Sequence, residues 1–123
     1  MKQYECEEEY PPAPCMSATI RNPILDLHES VRAKLDTGAD ITIITEDLAQ
    51  RLKLVQARCE RFRGFDGQVT VKPTHYVNIE FNGYQFKMVR VTYGSQVLIG
   101  RDILNNLEIH LYGKNLTFEV TDP

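Results

Sequence analysis

The chain has 123 residues, a length that suits one compact domain with a modest core. Hydrophobic residues make up 42% and charged residues 25%, the balance of an ordinary globular protein, and a net charge of -3 gives no general attraction for nucleic acid. No apolar run approaches the roughly 20 residues of a membrane helix, and the start MKQYECEEEY lacks the basic and apolar regions of a secretion leader. Neither a membrane nor a nucleic acid is therefore expected as partner, and the cytoplasm is the expected compartment.

Residues 1–15 are acidic and then proline-rich (Pro11, Pro12, Pro14). Proline resists helix, so this stretch reads as an extended arm or a disordered tail preceding a domain over 16–123. Cys6, Cys15 and Cys59 form an odd set without a leader, which argues against a disulfide framework. No pair has CxxC spacing, and His28, His75 and His110 lie far apart, so no metal site is expected and each histidine reads as a surface or edge residue.

From residue 16 onward the chain reads mostly as short strands. Met16 to Arg21 is β-prone, and Val31, Ala33 and Leu35 alternate with polar Arg32 and Lys34. Ile41 to Thr45 is rich in β-branched residues. Thr45 is a candidate N-cap for a helix over Glu46 to Leu54, whose apolar side is Leu48, Leu52 and Leu54. Arg58, Arg61 and Arg63 read as a solvated strand face. Gln68 to Lys72 and His75 to Phe81 alternate, Asn82-Gly83 is a hairpin turn signal, and Tyr84 to Tyr93 alternates again. Val97 to Ile99 is a short apolar strand, Asp102 a candidate cap for a helix to Leu107, and Leu116 to Val120 a last strand. Many short strands with little helix predict an all-β fold, a small closed or folded antiparallel barrel with one or two short helices.

The segment Leu35-Asp36-Thr37-Gly38-Ala39-Asp40 lies between two apolar strands as a tight loop. An acid there is commonly a turn residue, and a bare D-T-G triplet arises by chance in roughly a few per cent of chains this long. Its surroundings add weight. Apolar flanks would hold Asp36 near the core, and Val97-Leu98-Ile99-Gly100-Arg101-Asp102 comes later as an apolar strand ending in glycine. Between them Arg63-Gly64-Phe65-Asp66-Gly67-Gln68 is a glycine-flanked hairpin tip.

LDTGAD and LIGRDIL, in this order and with that hairpin between them, resemble the retropepsin family of aspartic proteases, over about residues 16 to 120. The family covers retroviral and retrotransposon proteases and their single-gene relatives. The longer arm and the start at Met1 are more like a free-standing member than an excised polyprotein fragment.

The resemblance implies a homodimeric endopeptidase acting on peptide or protein substrates without cofactor or metal, with Asp36, Thr37 and Gly38 as the catalytic triplet. Thr37 matches the threonine that bonds across the dimer, and Gly38 leaves room for substrate backbone. Asp40 matches an acid that meets substrate and forms a buried pair with Arg101. Ile41, Ile43 and Leu98 match pocket positions, and Phe65, Asp66 and Gly67 match the flap tip. Ala39 offers the carboxylate no hydrogen bond where pepsin-like chains often carry Ser or Thr, which implies activity at mildly acidic pH, roughly 5 to 6. Lys34 departs from the apolar residue usual two before the acid.

Chemistry points the same way. Peptide hydrolysis by carboxylates needs one ionised and one protonated group, and a chain with one D-T-G supplies one of them. A symmetric pair of chains supplies both, and the C-terminal strand is the expected site of pairing. A non-catalytic dimerisation or peptide-binding module on the same fold, and a β-barrel in which the triplet is accidental, remain as alternatives.

Overall fold

A computed structural model describes every residue except Glu7, Phe65 and Pro123. The chain forms the expected β-rich barrel. Strands β1 (Lys2–Gln3), β2 (Cys15–Arg21), β3 (His28–Leu35) and β4 (Thr42–Ile44) lead into helix α1 (Glu46–Arg51). Then come β5 (Arg58–Arg63), β6 (Val69–Phe81), β7 (Tyr84–Tyr93), β8 (Leu98–Ile99), helix α2 (Arg101–Leu104), β9 (Glu108–Tyr112) and β10 (Thr117–Thr121). One sheet runs β2-β3-β8-β4-β7-β6-β5, and β2 also pairs with β6, which closes the barrel and leaves β5 as a projecting strand.

Local chemistry accounts for most elements. Thr45 caps α1 by accepting the Leu48 amide at 3.2 Å, and Leu48 and Leu52 are buried. Asn82 and Gly83 both have positive φ (52° and 80°), the pattern of a two-residue hairpin turn between β6 and β7. The two alternating segments on either side of Pro73 form one strand, because β6 changes partner there. It pairs with β5 up to Thr74 and with β7 from His75 onward. The Thr92 hydroxyl donates to the Pro73 carbonyl at 2.8 Å. The core gathers Ile20, Ile44, Leu48, Leu52, Ile79, Ile99, Ile103 and Phe118, each side chain contributing about 1.5–3 kcal/mol.

Several expectations need correction. The arm is not a disordered tail. β1 pairs with β10, Tyr4 is buried with its ring edge-on to Phe118 at 5.9 Å between centroids, and Glu9 holds Lys34 at 2.7 Å. Cys6 and Cys15 form a disulfide, their Cα atoms 5.5 Å apart, while Cys59 is free and exposed. Counting cysteines could not anticipate this, because the arm folds back on β2: the Glu5 amide bonds the Cys15 carbonyl, and Cys6 bridges to Ala13. His75 is buried, bonded to the Val55 carbonyl and the Tyr93 hydroxyl at 2.9 and 2.8 Å. Tyr93 is pushed above its ordinary pKa by burial and the Glu46 charge.

Asp102 does not cap α2, whose N-cap is Gly100. Nor is the C-terminal strand free to pair with a second chain along either whole edge. β10 lies between β1 and β9 in a separate three-stranded sheet, and β9 was not foreseen. Among the described residues the outer edge of β9 carries no strand, and Leu111 and Tyr112 on it are exposed.

If the arm is part of the fold, Tyr4→Ala should lower stability by about 3 kcal/mol, read by urea unfolding. A change below about 1 kcal/mol would mean that the arm contributes little to the folded state.

Candidate active site

The D-T-G loop owes its position to β8. This strand is inserted between β3 and β4, running parallel to β3 (Lys34 opposite Leu98, Leu35 opposite Ile99) and antiparallel to β4 (Ile43 opposite Leu98). Residues 36–41, which join β3 to β4, therefore have to arch over the chain where β8 turns into α2.

Gly100 is the crossing point. A Cβ there would lie 2.8 Å from the carbonyl carbon and oxygen of Ile41 and 2.9 Å from the Ala39 oxygen, so no side chain fits. The loop is then fastened from below. The Asp36 amide bonds the Ile99 carbonyl at 2.9 Å, and the Arg101 amide bonds the Ala39 carbonyl at 2.8 Å. The Arg101 guanidinium donates to the Thr37 carbonyl at 2.6 Å and to the Asp40 carboxylate. Buried Thr42 ties β4 to α2. Its amide and hydroxyl reach the two Asp102 carboxylate oxygens at 3.1 and 2.8 Å, and its hydroxyl accepts the Gly100 amide at 3.2 Å.

Asp36 is half-buried at the lip of this loop, and its Oδ1 accepts the Gly38 amide at 2.8 Å. Thr37 and Gly38 are exposed. The Asp40–Arg101 pair exists as expected, but it is not buried in the single chain. The Asp40 side chain is 84% exposed and that of Arg101 43%. Both lie on the outer rim of the loop, where only a second molecule would cover them. In the isolated chain such a pair adds little to stability; its visible role is to fix loop shape.

Opposite the loop, β5 and β6 form a projecting hairpin. At its tip the Gly64 amide bonds the Gln68 carbonyl at 2.9 Å, the Gly67 amide bonds the Gly64 carbonyl at 3.0 Å, and Asp66 Oδ1 accepts the Gln68 amide at 2.9 Å. Gly67 has φ +80°, open to glycine at no steric cost. Phe65 lies outside the described residues. A cavity of about 630 Å3 separates hairpin and loop, with Ala39, Asp40, Ile41 and Ile43 on its floor. Leu98, half-buried, pairs with Ile43.

Expected residues from three distant segments thus lie about one site. Sequence reasoning missed Thr42 and Gly100, although a threonine within the apolar run ITIIT was a visible anomaly. Lys34, the departure from the usual apolar residue, has its ammonium held by Glu9 of the arm. Among the described residues no His, Cys, Asp and Glu cluster could hold a metal, and no helix is long and apolar enough to cross a membrane.

Comparison with known proteins agrees with this geometry. The chain is similar in fold to EIAV protease, solved in complex with the inhibitor HBY-793, at 26% identity and a TM-score of 0.59, over 77% of this chain and 88% of that one. It is also similar to a retropepsin-like aspartic protease from Rickettsia conorii, at 15% identity and the same TM-score of 0.59, over 88% of this chain and 82% of that one, a likeness of fold alone. No curated protein sequence matches it. The family described as "gag-polyprotein putative aspartyl protease" matches residues 26–106. With that match across the D-T-G loop, the hairpin and α2, the chain belongs to the gag-polyprotein aspartyl protease family and has the retropepsin fold.

Proposed function

We propose that the chain is one half of a homodimeric aspartic endopeptidase whose active site forms when two Asp36 loops meet on a two-fold axis. The observation that carries this reading is the incompleteness of the site in one chain. A rigid loop presents one half-buried carboxylate, with Thr37, Gly38 and the Asp40–Arg101 pair exposed around it.

Paired, two Asp36 carboxylates would share one proton, as is general for aspartic proteases, because like charges in contact cannot both ionise. The ionised member takes a proton from water as its oxygen attacks the peptide carbonyl carbon. The protonated member gives its proton to the carbonyl oxygen. Collapse of the tetrahedral species breaks the C–N bond, with the proton passing to the leaving nitrogen. Thr37 would bond across the axis and Gly38 would leave room for the substrate backbone. The β5–β6 hairpin, with Asp66 and Gly67 at its tip, would cover an extended substrate lying as an added strand.

Ile41, Ile43 and Leu98 supply apolar surface beside the loop, so bulky hydrophobic residues should flank the scissile bond. Incubated with a peptide library, the protein should cut at such sites. Asp36→Asn should lower kcat/KM by about a thousandfold, with thermal unfolding unchanged. Cleavage by that variant at the wild-type rate, or a profile with charged residues next to the scissile bond, would contradict the assignment.

Among the described residues β9 has an open outer edge and β1 covers only Thr117 and Phe118 of β10, so both strands offer edge to a second chain. Specific activity should fall on dilution in step with the loss of dimer seen by sedimentation. A monomer that keeps full activity would overturn the dimeric reading.

A further inference from the structure

The cavity beneath the hairpin is charged in a way that the apolar pocket residues do not explain. Cross-strand register places Glu60 of β5 directly opposite Lys72 of β6, and both line the cavity with Phe62, Ile41 and Ile43. Lys72 and Glu60 should pair, yet the Glu60 carboxylate is taken by Arg90 of β7 and lies 3.5 Å from Arg58. Desolvation pushes Glu60 up, but the hydrogen bond and charge of Arg90, joined by Arg58, outweigh it and hold the carboxyl below its ordinary range. Glu60 thus stays ionised, with Oε1 held by the two arginines and the buried Oε2 without a hydrogen-bond partner among the described residues.

Lys72 is left half-buried with one neutral acceptor, the Tyr93 carbonyl at 3.0 Å, and no carboxylate partner among the described residues. An ammonium has three donors, so capacity remains. The other acid on the cavity wall, Asp40, is occupied by Arg101. At the mouth Arg61 and Arg63 are exposed and likewise lack a carboxylate partner among the described residues. The cavity therefore carries four cations against two carboxylates, each already paired with arginine through one oxygen, in a chain whose net charge is -3.

We infer that this cavity is the subsite for an acidic side chain of the substrate, with Lys72 as the specificity-determining residue that binds its carboxylate. The inference rests on the protease reading and names a substrate class for the same site. The methylene stem of a glutamate would lie on Phe62 while its head reaches the ammonium. Partial exclusion of water strengthens that attraction, and Arg61 and Arg63 add a salt-screened attraction at the entrance. The acidic residue occupies a position beyond the apolar pair at the scissile bond.

The test uses matched peptides in which one Glu or its neutral isostere Gln is walked through the positions flanking an apolar cleavage site. At one position the wild-type protein should favour Glu by about tenfold in kcat/KM, the difference expected of one charge-assisted hydrogen bond. The preference should shrink as salt is raised. Lys72→Met should bring the ratio near one while cleavage of the Gln peptide is kept, and Lys72→Glu should turn the preference toward a Lys peptide. Equal rates for Glu and Gln peptides at every position in the wild-type protein would overturn the inference and leave the protease reading standing. So would a ratio untouched by Lys72→Met, which would assign the lysine to hairpin packing alone. Asp36-dependent cleavage of no peptide would overturn both.

Discussion

Gly100 passes directly beneath the loop that carries Asp36, and nothing larger than hydrogen can stand there. With β8 lodged between β3 and β4, the connection from Leu35 to Thr42 has to bridge a strand end at backbone contact, 2.8 Å from where a Cβ would be. That proximity lets Arg101 hold the loop at the Ala39 carbonyl, the Thr37 carbonyl and the Asp40 carboxylate together. It also brings the Thr42 hydroxyl within reach of the Gly100 amide and the Asp102 carboxylate. The loop is rigid because its backbone groups are satisfied by the strand and helix beneath it, and rigidity is what a shared carboxylate site requires.

The same crossing sets the limits of a single chain. Apart from the Arg101 guanidinium, the fastening lies on the inner side of the loop, and Thr37, Gly38 and the Asp40–Arg101 pair are exposed. On the reading proposed above, a charged pair and a tight turn left exposed beside a half-buried acid are half of an interface. The arm touches both this region, where Glu9 holds Lys34 and the Pro14 carbonyl accepts the Leu35 amide, and the C-terminal sheet. By adding β1 to β10 and burying Tyr4 against Phe118, it completes a small sheet whose outer β9 edge is open among the described residues. Opposite the loop, Glu60, Arg90 and Lys72 give the hairpin cavity a polarity of its own, set by one carboxylate that pairs with Arg58 and Arg90 while Lys72 opposite it has no carboxylate partner among the described residues.

Much of this was legible where the signal is local. Period-two alternation marked β3 and β7, Asn82-Gly83 marked the turn that joins β6 to β7, and Thr45 marked the start of α1. LDTGAD and LIGRD marked the loop and the strand that leads into α2, but not that the two cross at Gly100. What escaped depends on contacts distant in sequence. Cys6 and Cys15 meet because the arm doubles back, His75 is buried because Val55 and Tyr93 satisfy both its nitrogens, and Asp102 serves Thr42 across the crossing rather than its own helix. Gln68 to Lys72 and His75 to Phe81 read as separate segments, yet they form one strand because β6 exchanges partners between them. β9 hid in EIHLY, a stretch too mixed in polarity to stand out.

The central claim, that each active site takes one Asp36 from each of two chains, is tested most directly by subunit mixing. Wild-type protein is equilibrated with increasing proportions of Asp36→Asn at constant total concentration, long enough for subunits to exchange, and peptide cleavage is measured. If both carboxylates are needed, activity falls as the square of the wild-type fraction, since only dimers with two intact chains cut. A linear fall would mean that each chain works alone and would contradict the account.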